Sequence, residues 1–165
     1  MGYRSEVGIV VAFENSNDMK EVLAVYKMNP LVQKEGVFDH WTAYERSDDC
    51  NSDGYCLMEY KAEDVKWYDE YDDVQAYRHL FLLVEKFGNE REGFKYAYRE
   101  LQVGEDGAEE SDENHTCNKL RSICEDRMWV EPATLNFYNG EDFKEIPLGN
   151  SLTEKGEKEN EYDAF

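Results

Sequence analysis

Between residues 3 and 103 the spacing of apolar residues switches back and forth between a period of two and a period near 3.6. The order of those switches restricts the fold more than any other feature of the chain. Tyr3, Val7, Ile9, Val11 and Phe13 fall on alternate positions, with Arg4, Glu6 and Gly8 between them, which describes a strand with one buried face. Ser16, Asn17 and Asp18 then offer N-cap side chains, and Met19, Val22, Leu23 and Tyr26 recur at helical spacing. Asn29-Pro30 ends that helix, because the residue before proline is pushed out of the helical region. Two extended stretches follow, at 37–46 and 55–62. Asp72 and Asp73 open a second helix at the end where carboxylates suit its dipole. Val74, Tyr77, Leu80, Phe81, Val84 and Phe87 form its apolar face, and Gly88 closes it. Phe94, Tyr96 and Tyr98 then alternate with Lys95, Ala97 and Arg99 in a last strand, 94–103.

The resulting order, β-α-β-β-α-β, predicts an α+β fold of the ferredoxin-like, split β-α-β kind: an antiparallel sheet with two helices on one face. A chain of 165 residues suits one domain, 1–150, with its core in 1–103. Residues 104–115 are predicted to be a flexible acidic loop. Residues 116–150 are an extension: a short helix capped by Thr116 and running to Arg127, with Cys117, Leu120 and Cys124 on one face, then a hairpin around Asn139-Gly140. The tail, 151–165, is polar and predicted to be disordered.

The loop "DDCNSDGYC", 48–56, admits three readings. From Asp49 it spells the start of an EF-hand loop, but the bidentate Glu required at the twelfth position is replaced by Tyr60, with Glu59 one place early. Its flanks also read as strands, so a hairpin turn with Gly54 at positive φ is favoured. Cys50 and Cys56, like Cys117 and Cys124, lack the close spacing of zinc knuckles. No metal, cofactor or disulfide is expected. The run Val7 to Phe13 is too short to span a membrane and lacks a cleavage pattern, so a soluble protein of a reducing cytoplasm is expected.

No P-loop, G-x-G-x-x-G, nucleophile elbow or H-E-x-x-H occurs, and no catalytic residue is assigned. His40 is predicted to lie in a strand, His79 in a helix and His115 in a loop. An alternative remains: a small metal-binding or hydrolytic α+β enzyme centred on His40 or the cysteines. RNA binding through the sheet, known in split β-α-β folds, needs a basic groove. This chain has 38 acids against 18 bases, a net charge of -20, and repels nucleic acid and anionic membrane alike.

That charge favours a basic partner. DNA carries one charge per ~1.7 Å, so twenty charges correspond to about 34 Å of duplex, close to the breadth of a globule this size. Two runs concentrate the acids: 63–73 holds six with one lysine, and 105–113 holds six with no base. The candidate contacts are Glu63, Asp64, Asp69, Glu70, Asp72, Asp73, Glu105, Asp106, Glu109, Glu110, Asp112 and Glu113. A purely solubilising surface is the competing explanation.

The opening "MGYRSEV", with "VKWYDEYDDVQAY" and "FKYAYRELQVGED", resembles a family of small bacteriophage and prophage proteins over about residues 1–110. The resemblance implies a phage accessory protein in the host cytoplasm; together with the charge and the missing catalytic signatures, the expectation is an acidic protein that binds and inhibits a host or defence protein through a basic surface, in the manner of a DNA mimic. It carries no catalytic residues to transfer.

Overall fold

The computed structural model describes residues 2–46, 54–138 and 140–148. At its centre lies β1 (Ser5–Phe13). Beyond Glu6 this strand carries no polar side chain at all, since Gly8, Val10 and Ala12 fill the positions between Val7, Ile9, Val11 and Phe13. A strand apolar on both sides needs cover on both sides, and every residue from Val7 to Phe13 is buried. The expected single buried face is therefore corrected: the polar alternation of Arg4 and Glu6 stops before residue 8.

On one side, Val7, Ile9, Val11 and Phe13 pack into the larger core with α1 (Ser16–Tyr26), α2 (Pro30–Glu35) and α3 (Asp72–Glu90). On the other, Val10 and Ala12 meet Leu120, Cys124 and Met128 of α4 (Asn118–Arg127) and of the small ribbon β6 (Met128–Val130) with β7 (Leu135–Phe137). Gly8 is required there: a Cβ at this position would lie 2.7 Å from Phe137 Cζ and 2.9 Å from Met128 Sδ.

The fold is α+β. Among the described residues its main sheet has six antiparallel strands in the order β5-β4-β1-β3-β2-β8, adding β2 (Thr42–Arg46), β3 (Cys56–Val65), β4 (Tyr96–Gly104), β5 (Glu109–His115) and β8 (Phe143–Ile146). The expected apolar faces hold: Met19, Val22, Leu23 and Tyr26 are buried on α1, and Val74, Tyr77, Leu80, Phe81 and Val84 on α3.

Several local expectations are corrected. Asn15, one residue earlier than expected, caps α1 by accepting from Asp18 N. Pro30 opens a helix as well as following one, with Asn29 capping Leu31 N and Val32 N, because a proline lacks only an N–H that the first turn leaves unpaired anyway. His40 sits exposed in the 3-10 turn Phe38–His40 rather than in a strand. Gly88 lies inside α3, where a Cβ would meet Tyr96 Cε2 at 2.7 Å, so it serves close packing and not termination. Thr116 does not cap α4; its Oγ1 accepts from Tyr96 N at 3.0 Å.

The largest correction concerns 104–115. Only the turn is loop, with Gly107 at φ 85. Glu109–His115 is strand β5, paired residue for residue with β4, and this places His115 in a strand. The hairpin expected in the extension is also not found, because β7 pairs with β6 and β8 pairs with β2. Its Asn139, the calcium-like stretch up to Asp53, Cys50 and the tail 151–165 lie outside the described residues. The flanks of that stretch do pair as a hairpin, β2 with β3, and Gly54 has φ 77. No helix among the described residues is long and apolar enough to cross a membrane.

Candidate acidic interface

Antiparallel pairing brings the two acidic runs to the same end of the sheet. Ser5 at the start of β1 faces Val65 at the end of β3 and Gly104 at the end of β4. The chain therefore leaves β3 through Glu63 and Asp64, and leaves β4 through Glu105 and Asp106, on either side of the same strand start. Arg4 stands between them. Its N–H donates to Glu105 Oε1 at 2.6 Å, and its Nη1 donates to the Asp64 carbonyl at 2.8 Å. Tyr3 O–H donates to Asp106, which lowers the Asp106 pKa, and Tyr3 N–H donates to Tyr68 O–H at 2.6 Å. A cleft of about 300 Å3 opens here, lined by the carboxylates of Glu6, Glu63, Asp64 and Glu105 with Arg4 as its one base. Asp64 itself adopts φ 57, a left-handed conformation that Asp tolerates better than most residues.

The remaining predicted residues divide. Asp69 accepts from Arg78 Nη1 at 2.7 Å, and Asp72 pairs with Lys34 at 3.4 Å, so part of their charge is already neutralised. Asp73 accepts from Val74 N at the start of α3 and is half-buried, whereas Glu70 is exposed. Glu109, Glu110, Asp112 and Glu113 are all exposed on β5. Their register puts Glu110 and Asp112 on the helix side, with Gln102 and Glu100, and Glu109 and Glu113 on the α4 side, with Val103 and Arg99. The predicted set is thus one dense end, Glu63–Asp64–Glu105–Asp106, continued along one sheet edge.

Two ion pairs with buried carboxylates, one of them with a half-buried arginine, lie outside the expected site. Glu100, 4% exposed, accepts from Arg78 Nε and Nη2 at 3.0 and 2.8 Å and from Trp67 Nε1 at 2.9 Å. Hydrogen bonding to Glu100 is the main cause that raises the Arg78 pKa. Glu59, 2% exposed, accepts from Arg127 Nε, and the Arg127 guanidinium lies 5.0 Å from the Tyr44 ring and 5.6 Å from those of Tyr138 and Phe143. The available signal was, for Glu59, a carboxylate inside an apolar run, "CLMEY"; Glu100, beside Arg99 in "YREL", carried none.

The alternative centred on His40 and the cysteines finds little to build on. His40 Nδ1 lies 2.6 Å from the hydroxyl of Tyr77, whose pKa burial raises. Burial also pushes the Cys56 thiol up to about 11 and raises that of Cys124, which opposes the thiolate that a nucleophile or ligand needs. Among the described residues no group of three His, Cys, Asp or Glu side chains converges to hold a metal.

No protein-family model, curated protein or solved structure matches this chain.

Proposed function

We propose that this protein is a non-enzymatic acidic binding protein of phage type. It occupies the basic, nucleic-acid-binding surface of a host or defence protein in the host cytoplasm and inhibits it as a DNA mimic does. The observation that carries the reading is the meeting of two sequence-distant acidic runs around Arg4, in a chain of net charge -20. Spread evenly, that charge would serve solubility alone. Glu63, Asp64, Glu105 and Asp106, gathered around Arg4 at one end of the sheet, present their carboxylates together to a guanidinium- or ammonium-rich surface. We also read the inner strands β4-β1-β3-β2, with α1 and α3 on one face, as a split β-α-β (ferredoxin-like) core. On this reading β5 and β8 extend both edges, and α4 with β6–β7 closes the face that RNA-binding relatives of such folds leave open. The phage type and the host cytoplasm are what the resemblance of about residues 1–110 implies.

The test is capture of partners from host lysate at about 0.05 M salt, followed by competition. Each exposed ion pair contributes at most about 1 kcal/mol. Reversing Glu63, Asp64, Glu105 and Asp106 together to Lys should therefore abolish capture, while single reversals weaken it modestly. Raising salt to about 0.5 M should release the partner, as the screening length shrinks to a few Å, and duplex DNA should displace it. A partner held equally at high salt and indifferent to DNA would refute mimicry.

A further inference from the structure

We infer that β5 is a strand-addition edge, on which the partner lays a basic extended segment as a seventh strand of the main sheet. The inference rests on the acidic-binder reading and specifies how the partner's chain is held. Among the described residues β5 is the last strand in the sheet order, and all seven of its residues are exposed. Its hydrogen-bond phase follows from its two ends: Gly104 N donates to Ala108 O at 2.8 Å and Thr116 N donates to Tyr96 O at 2.9 Å. In an antiparallel ladder such pairs recur at every second residue, so Glu110, Asp112 and Asn114 turn their backbone groups toward β4. Glu109, Ser111 and Glu113 therefore aim N–H and C=O outward, and the run ends at His115, whose N–H donates to Asn114 Oδ1 at 2.9 Å. Those outward groups form a ready template for another strand.

Charge decides what that strand is. A second copy of β5 would set acids opposite acids, which is destabilising. The chain's own residues 149–165 hold five acids and two lysines, so they carry the wrong sign too. The opposite edge, β8, is four residues long and mixes Lys144 with Glu145. β5 presents acid, acid, Ser, acid, acid from Glu109 to Glu113. Because paired residues lie directly opposite, the complementary strand reads basic, basic, any, basic, basic. The pattern is the same in both directions, and the added strand runs antiparallel to β5, as every neighbouring pair in the sheet does.

The probe is a synthetic peptide, Thr-Lys-Lys-Thr-Lys-Lys-Thr, added to the full chain at about 0.05 M salt and followed by NMR and amide hydrogen exchange. The expected result is binding that slows exchange at Glu109, Ser111 and Glu113. The same peptide N-methylated at the residues facing those three positions keeps its charge but loses about three hydrogen bonds, and should bind roughly a hundredfold more weakly. Ser111→Pro should weaken binding of the unmodified peptide about several-fold, as expected for one lost hydrogen bond. The substitution removes only an outward N–H, and sheet edges tolerate proline; unchanged β4 amide protection will verify that the fold is intact. If the methylated and unmodified peptides bind equally, strand addition is overturned while the acidic-binder reading stands. If neither binds at low salt, both fall. If the outward amides are already protected without peptide, the edge is occupied by the chain's own tail or a second copy, and the inference is overturned.

Discussion

Arg127→Met should destabilise the protein far more than loss of an ordinary surface arginine. Arg127 is 5% exposed and closes α4, where its Nε reaches Glu59 Oε2. Glu59 lies at 2% exposure in β3, and its Oε1 has no hydrogen-bond partner among the described residues. Without Arg127 both carboxylate oxygens are buried and unpaired, and breaking such a pair from one side costs about 3–5 kcal/mol. At about 2–4 °C per kcal/mol for a chain of this size, Tm falls by roughly 10 °C. Glu59→Leu should cost less. Arg127 borders a cleft of about 380 Å3 that Asp126 and Asp142 also line, so the orphaned guanidinium keeps carboxylates nearby. The double variant Glu59→Leu/Arg127→Met should recover most of the loss, since an apolar replacement of a buried pair is often neutral or better. Urea unfolding followed by Trp fluorescence gives all three values. Arg127→Met within about 1 kcal/mol of the parent, or a double variant as unstable as Arg127→Met, would refute the reasoning.

Gly8→Ala should cost about 1–3 kcal/mol by forcing Phe137 and Met128 off β1, and urea melts will measure it; an unchanged midpoint would show that the β6–β7 ribbon yields freely. Burial lowers the pKa of His79, whose Nε2 lies 3.0 Å from Asn29 Nδ2. Because Asn29 Oδ1 is committed to Leu31 N and Val32 N, that Nδ2 must donate, and a protonated ring would have no lone pair to receive it. The folded pKa is depressed, so the unfolded chain binds the extra proton first: His79's stabilisation is complete above about pH 6.5 and is lost as pH falls through the folded value. Falling pH also relieves carboxylate repulsion, so the effect is read as the difference between parent and His79→Gln melts across pH 7 to 5; parallel curves would remove it. EDTA should leave Tm within about a degree or two, and a drop of several degrees would show a bound cation contributing to stability.

The sequence by itself determined the parts whose signal is local. Met19, Val22, Leu23 and Tyr26 lie within one helix and face one way, so spacing alone identified them. The acidic runs were legible as composition. What sequence could not decide was which elements pair, because a pairing partner is remote in the chain and leaves no local mark. β5 shows this most clearly. Both of its faces meet solvent, so no period of two is imposed on its side chains, and "EESDENH" reads as loop until β4 supplies its hydrogen bonds. The three-residue β7 and four-residue β8 are too short for any period, and the favourable turn between them misled because β2 and β6 were better partners. Glu59 and Arg127 were likewise visible as charges, but only the packing of α4 across β1 and β4, which carries Arg127 to Glu59 on β3, turned them into a buried pair. The acidic end arose in the same way: composition supplied the carboxylates, and the antiparallel returns of β3 and β4 beside the start of β1 set Glu63, Asp64, Glu105 and Asp106 around Arg4.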